Sequence, residues 1–353
     1  MTDTISAHRA DEGIDGAGAD SSSALASLLD RRRAEWLAWR KTGLTATDAP
    51  AILGLSPWAS PFSVWATKTG LYDRDAIEVT DAMEFGSRAE RMIGQWFEDL
   101  NPDLYVAGEQ TWCTSQTEPH MLATVDGFVF DSPFCEPSID TALGGFEIKT
   151  TTDTADAWDE QIPDHVVAQV QWQMAVTGLP CTWLATLHLG FRVAFRVRFI
   201  ERDEVDIATI TEAGRVMWFD HVLANLPPEV DGSTATSEAL KAAYPGDPAL
   251  EPVVAPELRF SIERIKANKD RIKLCETTIE FERNKLRAAM GDATHLIAGH
   301  DANGKPITLA TWKPSKPRAG FDHHAALARY PRALARFVTS TPVRPLLPKT
   351  PKD

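Results

Sequence analysis

Little in this chain of 353 residues points to a scaffold held by covalent cross-links. Its four cysteines, Cys113, Cys135, Cys181 and Cys275, are scattered. None forms a C-x-x-C pair, and no zinc or iron–sulfur spacing is present, so they read as free thiols in a reducing compartment. Long apolar runs are missing as well. None approaches the ~20 residues that a membrane span needs, and no membrane partner is expected. The opening stretch, MTDTISAHRADEGIDGAGADSSS, is acidic and rich in Gly, Ala and Ser. It lacks the apolar core of a signal peptide. Residues 1–21 are expected to be disordered, and the protein cytoplasmic.

Positive charge is scarce. Lys and Arg number 36 against 50 Asp and Glu, a net charge of −14. That balance weighs against a body that attracts polyanions over its whole surface, but net charge does not fix local potential. Residues 313–353 carry nine Lys and Arg against two Asp, a net +7 that leaves −21 for the rest. An acidic body also suits a site whose carboxylates count as negative until a metal ion binds.

What is present is an ordinary globular composition, 43% hydrophobic and 24% charged, with length for one large domain or two. Residues 22–42 predict a helix with Leu25, Leu28, Leu29, Trp36 and Trp39 on its apolar stripe. Short helices are expected from Thr47 to Leu53 and from Ser60-Pro61 to Gly70. A long amphipathic one should run from Thr80 to Leu100 and stop at Asn101-Pro102. Strands are expected near 104–107, 109–113, 121–125, 127–131 and 145–150. A helix from Asp164, its expected cap, to Thr177 ends at Gly178. A hairpin, 182–189 and 193–200, and a helix from Asp203 to Asn225 complete the unit.

These elements predict an α/β domain over 22–226, a mixed central sheet flanked by helices. Residues 227–257, rich in Pro, Ala and acid, read as a linker. A helix plus β-hairpin follows over 258–312, and a basic tail over 313–353. Leu258, Ile265, Ile272, Ile279 and Leu286 repeat at seven residues in that helix. The alternate seam positions Lys269, Glu276 and Arg283 are charged, so packing on its own domain is favoured over dimerisation. Gly299 to Lys305 imitates the start of a phosphate-binding loop. Pro306 stands where Ser or Thr would hold Mg²⁺, and strand rather than helix follows, so no ATP site is expected.

The chemistry concentrates in two strands. In Phe146-Glu147-Ile148-Lys149, alternation puts Glu147 and Lys149 on one face and Phe146 and Ile148 on the other. Thr124-Val125-Asp126-Gly127 precedes it. Asp126 ends an apolar strand, where an unpaired carboxylate is costly and a metal ion resolves the cost. Two carboxylates and an ammonium together can bind Mg²⁺, hold a water and stabilise charge on a phosphate. The competing reading of the E-x-K triplet alone is a buried ion pair. An apolar-flanked E-x-K after an apolar-flanked Asp-Gly is the pattern of PD-(D/E)XK nucleases.

Two further motifs lie upstream, W-x-x-W-R-x-x-x-x-T-A-T-D ending at Asp48 and G-S-R-A-E over Gly86 to Glu90. A fourth, A-Q-V-Q-W-Q-M over Ala168 to Met174, lies downstream. Together, over about 33–205, they resemble the lambda-exonuclease/YqaJ-like viral recombinase family. The resemblance implies a restriction-endonuclease-like fold. It also implies Mg²⁺-dependent, ATP-independent 5′→3′ digestion of double-stranded DNA ends, leaving 3′ single strands for a phage-type single-strand annealing recombinase.

Asp126 and Glu147, with the Ile148 carbonyl, would hold one Mg²⁺. Glu90 would reach a second near Asp126, with Mn²⁺ able to substitute. Lys149 would orient the attacking water or neutralise the pentavalent phosphate, and Gln169 would position the nucleophile. Arg40 and Thr47 would grip the 5′-phosphate, although Thr45 and Asp48 suit plain helix capping. A ring-shaped homotrimer is implied too.

Alternatives stay open. A Cas4-like nuclease would want the iron–sulfur cysteines that are lacking. An endonuclease would cut circular DNA, and a non-catalytic DNA-end scaffold would not need the acidic set. Gln169 and Gln173 share a helix face, whereas Gln171 is expected on solvent or a partner. His120 and His165 suit surface or supporting roles in a site that wants oxygen ligands. Trp58 and Trp65 suit packing better than base stacking.

Overall fold

In this computed structural model the described residues are 31–73, 80–134, 137–190, 192–314 and 323–334. The expected disordered stretch 1–21 and much of the basic tail lie outside them. The chain divides into two compact units, the first reaching Pro245 and the second beginning at Gly246.

In the first unit, β-branched and aromatic runs build two sheets. The larger has the order β2-β5-β6-β7-β8: Tyr105–Ala107, Gly127–Phe130, Gly144–Thr151, Cys181–Leu189 and Val193–Glu201. Strands β6 and β7 are parallel, and the other pairs are antiparallel. The smaller sheet joins β1 (Leu44–Thr45), β4 (Met121–Val125) and β3 (Thr111–Thr114). The chain leaves β4 for β5 through Asp126 alone, so this carboxylate sits where one sheet hands over to the other. A Cβ on the next residue, Gly127, would meet Val106 Cγ1 at 2.9 Å, which explains a side-chain-free residue there.

Helices cover these sheets. In α4 (Asp81–Leu100) the i, i+4 series Ala89, Ile93, Phe97 is buried and packs on Val129, Phe146, Ala185 and Leu187. The segment between β6 and β7 contains α5 (Ala155–Glu160), which local pattern does not predict, and α6 (Asp164–Thr177). Trp172 of α6 is fully buried and donates to the Leu122 carbonyl at 2.8 Å, which ties the helix to β4. Residues 31–40 are helical, followed by α2 (Ala49–Ile52) and α3 (Pro61–Lys68), whose N-terminus has a Ser60–Ser63 capping box.

Several expectations need correction. The α6 cap is Pro163, not Asp164; Asp164 lies in the first turn and accepts from Gln161. The single helix expected to Asn225 is α7 (Glu204–Arg215) running into a π-helical segment, Val216–Leu223. Residues 227–257 are not wholly linker, since Thr234–Ala243 form α8. The Ser233 hydroxyl caps it, Ala239 is fully buried, and Thr236 donates to Ser60 Oγ at 2.7 Å. Composition suggested a linker, but one cap and one small buried face suffice for a packed helix.

The second unit carries α9 (Arg259–Met290) and the antiparallel hairpin β9 (His295–His300) and β10 (Pro306–Thr311). Asp301 Oδ1 accepts from Asn303 N and Lys305 N, and Gly304 has φ +76°, so the phosphate-loop imitation is a hairpin turn. Along the seam of α9 Ile265 is half-buried, but Ile272 is 57% exposed and Ile279 51%. The packing expected for it within its own domain is not seen at these positions among the described residues. Two short helices, α10 (His323–Arg329) and α11 (Pro331–Leu334), follow. Among the described residues no helix is long and apolar enough to cross a membrane.

Candidate active site

Strand alternation places Glu147 and Lys149 together, as expected, while Phe146 joins the α4 core and Ile148 packs beside it. Glu147 is 2% exposed, and both of its carboxylate oxygens are engaged. Oε1 accepts from Lys149 Nζ at 2.5 Å and Gln169 Nε2 at 2.7 Å; Oε2 accepts from Gln173 Nε2 at 2.7 Å. The i, i+4 spacing on α6 thus delivers two amides to one buried carboxylate. Gln171 does not face solvent. It is buried, donates to the Glu201 carbonyl and accepts from Asp203 N, so it locks the β8–α7 corner onto α6.

Asp126 accepts from Ile148 N at 2.8 Å. The N–H and C=O of one strand residue project to the same side, so the Ile148 carbonyl also lies on the Asp126 side of β6. Gln110 Nε2 bridges Glu90 Oε2 at 3.2 Å and Asp126 Oδ1 at 3.3 Å. Burial and then the Glu147 charge push Asp126 well above the usual carboxylate range, against Lys149 and the Ile148 N–H. Burial likewise raises Glu90, with Gln110 opposing and Glu147 adding to the rise. Burial by itself would lower the Lys149 pKa, but Glu147, Asp126 and Glu90 outweigh it and hold it above the ordinary lysine value.

Among the described residues no three acidic, histidine or cysteine side chains stand gathered as a ready metal cluster. The donor chemistry nevertheless fits a hard divalent cation. Glu90 and Asp126 present oxygens to one point, share a single neutral donor nitrogen there, and have a backbone carbonyl on the same side. Glu147 Oε2 has Gln173 as its one side-chain donor among the described residues, which leaves it acceptor capacity for a cation.

Arg40 and Thr47 are also brought together, Arg40 Nη2 lying 3.4 Å from Thr47 Oγ1. The guanidinium lies 4.5 Å from the Trp36 ring centroid, and Trp36 Nε1 donates to Thr124 Oγ1 at 3.1 Å. The Thr124 carbonyl accepts from Gln173, so one residue of β4 links the arginine side to the Glu147 side. Asp48 caps no helical N–H. Its Oδ2 accepts from Thr45 N and Thr45 Oγ1, both at 2.8 Å, and pairs with Lys68 at 3.0 Å. Lys68 in turn donates to the Arg40 carbonyl at 2.8 Å. Burial would raise the Asp48 pKa, but Lys68, Arg40 and the Thr45 N–H hold it at about 2.

His120 is buried beneath Trp218 and Phe219, away from this chemistry. His165 makes an edge contact with Trp58, and burial and then the Lys149 charge lower its pKa. Trp65 is core, whereas Trp58 is 68% exposed. Gln110, Thr124, Trp36 and Lys68 were not singled out by sequence for this site. Trp36 and Thr124 carried a signal only as members of the W-x-x-W-R and Thr124-Val125-Asp126-Gly127 motifs.

A mixed sheet with parallel β6 and β7 at its heart, antiparallel strands on either side and flanking helices defines an α/β protein of the restriction-endonuclease-like fold. Residues 35–180 match the YqaJ-like viral recombinase domain. The chain is 30% identical to the protein YqaJ of Bacillus subtilis (strain 168) over 291 residues, 80% of this chain and 86% of that one. It therefore belongs to the YqaJ-like viral recombinase family. Similar solved structures include an alkaline exonuclease from Laribacter hongkongensis, 22% identical, over 54% of this chain and 93% of that one at a TM-score of 0.41. A phage-related exonuclease from Haemophilus somnus 129PT is 12% identical, over 52% and 96%, at a TM-score of 0.39.

Proposed function

We propose that this protein is a Mg²⁺-dependent, ATP-independent 5′→3′ exonuclease that digests double-stranded DNA ends. It leaves 3′ single strands for a phage-type annealing recombinase. The observation that carries the reading is the assembly of Glu147, Lys149 and Gln169 beside Asp126 and Glu90, in a chain of this family.

In this reading Asp126 and Glu147, with the Ile148 carbonyl, would hold one ion, and Glu90 with Asp126 would hold a second. Mg²⁺, or Mn²⁺ in its place, would supply Lewis-acid stabilisation of phosphate charge there. Lys149, kept cationic by three carboxylates, neutralises charge on the phosphate undergoing displacement. Gln169 spends its N–H on Glu147 and offers its amide oxygen to the attacking water. Arg40, held over Trp36, and Thr47 bind the 5′-phosphate of the end being shortened. A homotrimeric ring around the duplex is the assembly proposed, in the cytoplasm of a bacterial host.

The test uses linear duplexes labelled at either end, with and without 5′-phosphate, in Mg²⁺ or EDTA, beside closed circular DNA. Loss of 5′ label as mononucleotide, only with Mg²⁺ and only on linear DNA, is the expected result. Cutting of the circle would make the protein an endonuclease. Metal-independent binding without cleavage would make it a scaffold.

A further inference from the structure

One residue at the site has no role in the reaction as described. Gln110 lies in the turn between β2 and β3 and is exposed, yet it has φ +53°. The left-handed region is unfavourable for a side chain of this kind and marks a backbone held by its surroundings. The only other non-glycine residue of positive φ among those described is Asn225, a type that tolerates it. The turn is held in part by Thr111, whose hydroxyl donates to the Gly108 carbonyl at 2.6 Å.

The conformation aims the Gln110 amide at one point. Its Nε2 meets Glu90 Oε2 at 3.2 Å and Asp126 Oδ1 at 3.3 Å. Two carboxylate oxygens thus converge on a single nitrogen, and like charges so placed repel unless something positive stands between them. The nitrogen carries partial positive charge and two N–H groups, one for each oxygen. Both bonds are long for N–H···O, and the side chain approaches from solvent. It can therefore leave without disturbing the core.

We propose that Gln110 is a placeholder: its amide donates to both Glu90 and Asp126, and a divalent cation held by those two carboxylates would have to displace it. Gln110 is a positioning residue for two carboxylates, not a catalytic one. The inference rests on the metal-dependent reading above. Its consequence is a weaker apparent metal affinity than the two carboxylates would have without Gln110.

The test is calorimetric titration of the full-length protein with Mn²⁺, without DNA, for wild type, Gln110→Ala, Gln110→Gly and Asp126→Asn. Removing a weak competing pair of hydrogen bonds should tighten Mn²⁺ binding about three- to tenfold in both Gln110 variants. Gln110→Ala should also melt earlier than wild type in EDTA and lose that deficit in saturating Mn²⁺. The alanine keeps the backbone strain and the glycine relieves it, so a shared tightening belongs to the side chain. Wild-type or weaker Mn²⁺ affinity in Gln110→Ala, with Asp126→Asn binding lost, overturns the placeholder alone. No Mn²⁺ binding by wild type overturns the metal-dependent reading and the placeholder with it.

Discussion

Lys149 shares its Glu147 oxygen with Gln169, and that single acceptor carries much of the proposed chemistry. Lys149→Ala removes the ammonium and leaves Glu147 its two glutamine donors. Digestion should fall by at least ~10³-fold, with the far-ultraviolet spectrum and the melt little changed. Near-normal turnover in a well-folded variant would remove Lys149 from the mechanism.

Arg40→Ala tests a different contact. A charge-assisted hydrogen bond contributes ~1.5–3 kcal/mol, so preference for 5′-phosphorylated over 5′-hydroxyl ends should drop roughly 10- to 100-fold. Equal losses on both ends would make Arg40 structural. Beneath it, Asp48 and Lys68 form a buried pair whose effect depends on pH. The folded-state pKa of Asp48, about 2, lies below its ordinary 3.8. Its contribution, about 2 kcal/mol, is therefore complete above pH ~4 and lost as pH falls towards 2. Urea unfolding of Asp48→Asn against wild type should show a gap at neutral pH that narrows through that window. A gap independent of pH would mean that packing, not charge, holds the turn.

At the scale of elements, α4 and α6 fix the site from opposite directions. The buried series on α4 seats Glu90 one residue after Ala89, and Phe97 stacks tilted on Phe146 at 4.9 Å. Phe97→Ala should cost ~3–5 kcal/mol, because the cavity lies against the strand that carries Glu147. Chemical denaturation reads this directly, and a loss below ~1 kcal/mol would mean that the helix repacks. The same burial explains why a long amphipathic helix and an apolar strand were legible in sequence: their apolar periods survive whatever they pack against. The short α5 and the π-helical end of α7 were not legible. Each depends on contacts from distant chain: Trp158 of α5 meets His188 of β7 at its ring edge, and Trp218 and Phe219 of the π-helical segment lie against His120.

For the whole molecule the open issue is charge. The body is acidic, and the basic residues crowd into 313–353. If that tail contacts phosphates, deleting residues 314–353 should flatten the dependence of duplex affinity on salt, because fewer counterions are released. The measurement is affinity at several salt concentrations beside a thermal melt. An unchanged slope with a lowered melting temperature would assign the tail to structure.

The sequence by itself determined the mixed α/β order, the faces of β6, the shared face of Gln169 and Gln173 and the family. These are local periods and spacings, which backbone geometry converts into direction. Tertiary structure alone decided what those directions meet. Gln169 and Gln173 of α6 reach one carboxylate, Gln171 turns inward to β8, part of the expected linker is a packed helix, and Ile272 and Ile279 of α9 lie exposed. It also decided that Gln110, without any motif, stands between Glu90 and Asp126, which are far apart in the chain. A contact of that kind follows from how two sheets and a helix pack, and no window of sequence contains it.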